Sequence, residues 1–270
     1  IGGGEEEDNL KNYAKKNGVS DYVKFAGFQK NPLPYILATD LMFFTPNIFA
    51  EPEIKWFFDT KDLCAGQPLA RDIDGDGKYE IVFGCYRNDS CVYALNSEDG
   101  SLLWKYNTAA KNFEGCNDAA PIIYDVDNDG IPDVIVASSC NHITFCFDGK
   151  TGDVKWTCPT RGSDSPPTIA DIDGDGKPEI IHGEFSGYVI CIDPTNGMKK
   201  WEILVDPNSW IQTAPSIVDI DGDGINDFVV ATWNFSKEDK FYAFRGYDQS
   251  ILWTYNLRNN VYHGTGIADI

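Results

Sequence analysis

The chain has no run of about 18 or more apolar residues, so it shows no membrane-spanning helix. Basic residues are scarce: 22 Lys and Arg stand against 42 Asp and Glu, a formal net charge of -20. That balance argues against nucleic acid or an anionic membrane as partner and favours bound cations. Histidine is rarer still, and His142, His182 and His263 show no metal-ligand spacing. No Ser/His/Asp set assembles, and each histidine reads as a surface or packing residue. Eight cysteines are more than a reducing cytosol leaves unexplained, yet too few for a disulfide scaffold. The chain starts at Ile1 and stops inside a motif, so it reads as a fragment, and a missing leader says nothing about export. Its 270 residues, 42% hydrophobic and 13% aromatic, suffice for one large domain or two smaller ones.

What is abundant is repetition. "DIDGDGKYE" from Asp72 returns as "DVDNDGIPD" from Asp125, "DIDGDGKPE" from Asp171 and "DIDGDGIND" from Asp219, and a fifth copy opens at Asp269. A second marker keeps the same beat: Trp56, Trp104, Trp156, Trp201 and Trp253 follow at steps of 48, 52, 45 and 52 residues. Each unit reads as four short strands, A to D. In the third, "SPPTIAD" is A, the acidic loop follows, "EIIHGEF" is B, "YVICID" is C and "MKKWEIL" is D, with Gly, Pro, Asn and Asp between them. The expected fold is mainly β: a propeller of four-stranded antiparallel blades, over residues 53–270, in an incomplete ring. Trp56 is expected on a strand D without its own A to C, then come four full blades and the start of another.

The acidic loops point to metal. Counting from the first aspartate, positions 1, 3, 5 and 9 carry carboxylates, and position 7 offers a backbone carbonyl. The candidate ligands are Asp72, Asp74, Asp76, Lys78 and Glu80 in the first loop and Asp125, Asp127, Asp129, Ile131 and Asp133 in the second. The third offers Asp171, Asp173, Asp175, Lys177 and Glu179, and the fourth Asp219, Asp221, Asp223, Ile225 and Asp227. Hard oxygens in such number suit Ca²⁺, about four ions in all, better than the tighter octahedron of Mg²⁺. An EF-hand would close with glutamate at position 12; here Phe83, Val136, His182 and Val230 stand there, inside strand B. The loop therefore closes as a turn between strands. The alternative is a set of solvated acidic turns, in which four carboxylates on one short loop would repel each other.

With "APIIYDVDNDGIPDVIVAS" and "APSIVDIDGDGINDFVVAT", the chain resembles the FG-GAP/VCBS calcium-loop propeller repeats of integrin α-chain heads and microbial surface proteins. The turns "YALNSEDGSLLWKY" and "VICIDPTNGMKKWEI" resemble the tryptophan-docking repeats of quinoprotein-like propellers, although no adjacent cysteine pair accompanies them. The resemblance implies a secreted or cell-surface protein, with structural calcium ions and a protein or carbohydrate ligand.

Residues 1–50 have another rhythm. Glu5 to Asn17 reads as a helix with Leu10, Tyr13 and Ala14 on its apolar face, Lys15 and Lys16 in its last turn and Gly18 as its stop. "YVKFAGF" is expected as a strand, "PLPYILATD" as a short helix and "LMFFTP" as a strand, together a small α/β, Rossmann-like piece. The order resembles the donor-binding domain of family 4 glycosyltransferases of the GT-B fold, which implies Gly2, Gly3 and Gly4 near a sugar-nucleotide site. The family's paired glutamates seven residues apart are missing, so the segment is expected to be catalytically inactive.

In a blade the A–B loops share one end, and the B–C and D–A loops share the other. Cys64, Cys85, Cys91, Cys116 and Cys140 all fall at the second end. Cys116–Cys140 is a candidate bridge, and Cys64 is within the pattern to join Cys85 or Cys91. Cys146 and Cys191 read as small core residues, and Cys158 in a strand D has no assigned partner. The sequons at Asn88 and Asn234 also fall in B–C loops. Three functions remain. The first is a non-catalytic propeller that binds a ligand on the end opposite the acidic loops, with Arg87, Arg161, Trp210, Trp233 and His263 as candidate contacts. The others are a propeller-type polysaccharide lyase or hydrolase and a glycosyltransferase remnant.

Overall fold

The structure is a computed structural model that describes residues 7–16, 54–109, 114–234, 238–259 and 261. The chain divides into two compact units, Ile1–Lys55 and Trp56–Ile270. In the first, the described residues form one helix, α1 (Glu7–Lys16), with Lys15 and Lys16 in its last turn, where cations meet the negative helix end. Ala14 is buried, but Tyr13, expected on the apolar face, is 68% exposed. The strands and the second helix expected between Tyr22 and Pro46, and Gly2, Gly3 and Gly4, lie outside the described residues.

The described residues of the second unit form four antiparallel four-stranded sheets, each with its strands in chain order, set like propeller blades and unclosed. Blade 1 is β1 (Leu69–Arg71), β2 (Glu80–Gly84), β3 (Cys91–Asn96) and β4 (Leu102–Asn107). Blade 2 is β5 (Ile122–Tyr124), β6 (Asp133–Ser138), β7 (Ile143–Phe147) and β8 (Val154–Pro159). Blade 3 is β9 (Thr168–Ala170), β10 (Glu179–Gly183), β11 (Tyr188–Ile192) and β12 (Lys199–Leu204). A two-residue strand β13 (Ser209–Trp210) leads on to β14 (Ser216–Val218) and β15 (Asp227–Ala231). After β16 (Trp233–Asn234) come β17 (Lys240–Phe244) and β18 (Ile251–Asn256); β14, β15, β17 and β18 make blade 4, and β13 pairs with β16.

Burial explains the composition of each strand. The second strands of blades 2, 3 and 4, "DVIVAS", "EIIHG" and "DFVVA", are buried on both faces, so they read as continuous apolar runs. The fourth strands of blades 1, 2 and 3 are partly exposed and carry lysines, as an outer edge does to avoid pairing with another chain. His182 lies in this interior, fully buried, with Nδ1 at 3.0 Å from the Gly183 carbonyl and Nε2 at 2.9 Å from Thr144 Oγ1. Burial pushes its imidazole down, which keeps it a neutral packing residue.

The cores lie between blades. Ile73, Val82, Val92 and Trp104 of blade 1 pack on Val134, Val136, Phe145 and Phe147 of blade 2. Trp156 and Cys146 of blade 2 meet Ile180, Ile190 and Ile192 of blade 3, and Ile172, Ile181 and Val189 of blade 3 meet Phe228, Val230 and Phe244 of blade 4. Three of the repeated tryptophans, Trp56, Trp104 and Trp156, reach the turn between the third and fourth strands of the blade that follows. Trp56 Nε1 donates to Ser97 O at 2.9 Å, Trp104 Nε1 to Gly149 O at 2.6 Å and Trp156 Nε1 to Pro194 O at 2.7 Å. The rings lie on Gly100, Gly152 and Gly197, all at φ +73°, where a Cβ would come within 2.5–2.7 Å of the indole.

One expectation is corrected. Residues 54–60 around Trp56 form no strand. Its indole docks as those of Trp104 and Trp156 do, but among the described residues no strand pairs with this backbone, and a strand without a ladder partner leaves its N–H and C=O groups unsatisfied.

Candidate metal centres at the acidic turns

The four acidic loops join the first and second strands of the four blades. Glycine at position 6 makes the turn: Gly77, Gly130, Gly176 and Gly224 have φ between +84° and +91°, a region costly for any other residue. The position-1 aspartate holds the turn through two backbone N–H groups. Asp72 Oδ1 accepts from Gly75 N at 2.8 Å and Oδ2 from Gly77 N at 2.9 Å; Asp125, Asp171 and Asp219 each accept from the matching glycine at 2.9 Å. The position-9 carboxylate reaches back to the N–H of position 2: Glu80 to Ile73, Asp133 to Val126, Glu179 to Ile172 and Asp227 to Ile220, at 2.8–3.1 Å.

These contacts bring positions 1, 3 and 9 together. Asp72, Asp74 and Glu80 offer ligand oxygens within 4.8 Å of one another, as do Asp125, Asp127 and Asp133; Asp171, Asp173 and Glu179; and Asp219, Asp221 and Asp227. Asp76, Asp129, Asp175 and Asp223 at position 5 stand outside these groups, and each accepts the N–H of position 7 (Lys78, Ile131, Lys177 or Ile225) at 2.8–2.9 Å. The chemistry of the converging set, three carboxylates on a rigid turn, fits a hard divalent cation.

The four centres differ in what else touches them. In the second, Lys155 Nζ lies 2.6 Å from Asp127 Oδ2 and 3.0 Å from Asp133 Oδ1. In the third, Lys200 Nζ lies 2.8 Å from Asp173 Oδ2 and 2.7 Å from Glu179 Oε1. In the fourth, Arg245 Nε holds Asp221 Oδ2 at 2.8 Å, and the Gly246 N–H reaches Asp227 Oδ1 at 3.4 Å. In the first, Lys78 turns to Glu98 at 2.7 Å, and the buried Glu80 Oε1 has no hydrogen-bond partner. Burial pushes the Glu80 carboxyl up from its ordinary range, and the charges of Asp74, Asp76 and Asp72 add to this. Hydrogen bonding to Lys155 holds Asp127 low; Asp133 is pushed up, because its burial outweighs the same lysine.

The other end of the blades carries the cysteines. Cys116 and Cys140 form a disulfide. Cys64 Sγ lies 2.9 Å from Cys85 Sγ without a bond, Cys91 is buried apart, and Cys146, Cys158 and Cys191 are buried core thiols. Arg161 is tied down: its guanidinium bonds Glu184 and Glu202 at 2.7 Å and lies 3.9 Å from the Tyr188 ring centre. Arg87 pairs with Glu114 at 2.9 Å. Trp210 and Trp233 face each other across β13 and β16, with Phe185 4.5 Å from Trp210, a ribbon that the four-strand pattern did not foretell. Asn88 is exposed and Asn234 is buried, which leaves Asn88 as the accessible sequon; His263 lies outside the described residues.

Also at this end, Gln212 Nε2 donates to Asp164 Oδ2 at 3.1 Å, and Ser139 Oγ to Asp118 Oδ1 at 3.3 Å. Burial, then the charge of Asp118, pushes the Asp164 carboxyl up to about 7. No motif marked these residues; the one signal is that Asp118, Asp164 and Gln212 each precede a loop's first aspartate by seven residues.

Residues 72–136 and 125–182 match an FG-GAP-like repeat, so the chain carries such repeats. No curated protein matches it. Among solved structures, BamB from Moraxella catarrhalis superposes with a TM-score of 0.54 at 18% identity, over 77% of this chain and 56% of that one. Sqt1 from Saccharomyces cerevisiae gives 0.52 at 14%, over 71% and 48%. A quinohemoprotein alcohol dehydrogenase from Comamonas testosteroni gives 0.48 at 14%, over 66% and 34%. The chain thus spans about half the length of the first of these, and the first two likenesses show the propeller-like fold alone.

Proposed function

We propose that this chain is a non-catalytic, calcium-binding propeller segment of an exported protein, presenting a protein or carbohydrate ligand surface on the end opposite the acidic turns. The observation that carries the calcium reading is the convergence of three carboxylates at the same place in all four blades. Asp72, Asp74 and Glu80 and their counterparts would hold the ion, which would pin each first-to-second-strand turn. The ligand reading draws on the aromatic ribbon of Trp210 and Trp233 and on a disulfide that suits an oxidising compartment. No described helix is long and apolar enough to cross a membrane.

The test is calorimetric titration of the chelated protein with Ca²⁺, beside melting curves in calcium and in EDTA. Binding of several equivalents, up to four, with a melting point raised by about 10 °C or more is expected. An unchanged melting point and no heat of binding would remove calcium from the reading.

One observation favours a second reading, a propeller-type polysaccharide hydrolase. Asp164 takes the Gln212 amide on Oδ2 and leaves its buried Oδ1 without a donor, and burial and the charge of Asp118 push its carboxyl up, which is the setting general acid catalysis needs. Release of reducing sugar from a polysaccharide panel, lost in the D164N variant, would favour it over the binding module.

A further inference from the structure

The fourth strand of every blade carries a bulge at one place. Trp104 pairs with Ala94 but Leu102 with Leu95, so Leu103 is squeezed out of register. Lys155 is skipped in the same way between Val154 and Trp156, Lys200 between Lys199 and Trp201, and Leu252 between Ile251 and Trp253. A bulge re-aims one side chain out of the strand's alternation. In blades 2 and 3 the re-aimed side chain is a lysine, and its ammonium ends on the position-3 and position-9 carboxylates of that blade's own acidic turn. Blades 1 and 4 have leucine there.

We propose that this bulge residue sets which acidic turns take a metal ion: Lys155 and Lys200 are built-in cations that compete for their centres, and the turn of blade 1, beside Leu103, is the open, tight site. The proposal rests on the calcium reading and makes the four centres unequal. A bound Ca²⁺ draws its oxygens to about 2.3–2.6 Å. In blade 3 it would need Glu179 Oε1 and Asp173 Oδ2, which already hold the Lys200 ammonium at 2.7 and 2.8 Å. The ion must displace that ammonium and its charge-assisted hydrogen bonds. In blade 1 nothing has to leave. Glu80 is fully buried, its Oε2 takes the Ile73 N–H, and its Oε1 has no donor. A buried carboxylate oxygen without a donor is costly, and a cation among Asp72, Asp74 and Glu80 removes that cost. Blade 4 stands between: Leu252 leaves the centre open, but Arg245 holds Asp221, and the Gly246 N–H touches Asp227.

The chelated chain is titrated with Ca²⁺ by calorimetry as wild type, L103K, K155L, K200L and K155R. The expected wild-type isotherm has two classes of site at least about tenfold apart, since charged hydrogen bonds must be exchanged at only some of them. K155L and K200L each move one equivalent from the weak to the tight class. L103K weakens the tightest equivalent by about tenfold or more, while K155R, which keeps a cation on Asp127 and Asp133, leaves the blade 2 equivalent in the weak class. Should a leucine variant fail to fold, as read by far-UV circular dichroism, K155Q and K200Q retain most of the stem and carry the same expectation. Four alike sites in the wild type, or isotherms unmoved by K155L and K200L, overturn the lysine proposal and leave the calcium reading standing. Absence of binding in every variant overturns both.

Discussion

The junction between blades 2 and 3 and the junction between blades 3 and 4 are built from the same parts, yet only one is sealed. At the first, the indole of Trp156 lies on Gly197 and donates to Pro194 O. At the second, the turn of blade 4 has Gln249 in place of that glycine, held at φ +56°, and the Gln249 amide donates to Gly246 O at 2.6 Å. The side-chain amide has taken over the acceptor that the indole uses elsewhere. Trp201 is only half-buried and stacks on Phe228 instead, with ring centres 5.8 Å apart. One glycine therefore decides whether a tryptophan acts as a bolt or as one more ring in an apolar layer, since a Cβ at the matching place would lie 2.6 Å from the Trp156 ring.

The largest expected effect breaks the sealed junction. Trp156→Ala should lower stability by about 3–5 kcal/mol, the range for a large buried aromatic. Trp201→Ala should lose about half as much, because part of the ring already faces water and no indole hydrogen bond to the turn is broken. Equal losses in urea melts of the two variants would show that the docking geometry contributes nothing beyond apolar contact. Gln249→Gly should mend the loose junction. It relieves a left-handed backbone at a non-glycine residue, worth about 1 kcal/mol, and frees Gly246 O for the indole. A gain in melting temperature together with a shift in tryptophan emission is expected; a loss would mean that the glutamine bond is the better seal.

The smallest effect lies at the other end of the same junctions. Seven residues before the first loop aspartate, blades 2 and 3 carry Asp118 and Asp164, and blade 4 carries Gln212. The folded state raises Asp164 to about 7, above its ordinary value near 4, so it holds this proton more tightly than the unfolded chain does. Its contribution to stability is intact below about pH 4 and falls away as the pH climbs to about 7. The groups facing it are Asp118, Ser139 and Gln212. Asp164→Asn should thus melt a few degrees above the wild type at pH 8 and level with it at pH 4.5, at fixed calcium. A difference that is the same at both pH values would assign the change to packing.

Much of this molecule was legible in its residues. The period, the four strands per unit and the turn glycines were readable because strand alternation and positive φ each leave a residue-type signature. The acidic turns were readable for the same reason, but their division of labour was not. Asp72, Asp74 and Asp76 look alike in the chain, whereas in space the first two converge with Glu80 and the third holds its own turn. Cys116 and Cys140 could be brought together by the rule that B–C and D–A loops share an end. The strand expected at Trp56 failed because a strand needs a neighbour, and sequence pattern registers only the side chains. The sequence also placed Lys155 and Lys200 just before tryptophans, without showing that they are the residues each bulge expels.

By itself, then, the sequence determined what is local: which residues turn, which alternate, and where carboxylates crowd within nine positions. The tertiary structure alone decided which of those carboxylates keep an open oxygen and which tryptophans find an acceptor. Both depend on backbone register between strands and on the fit of one blade against the next, and these are set by pairing and close packing across some 40 to 50 residues.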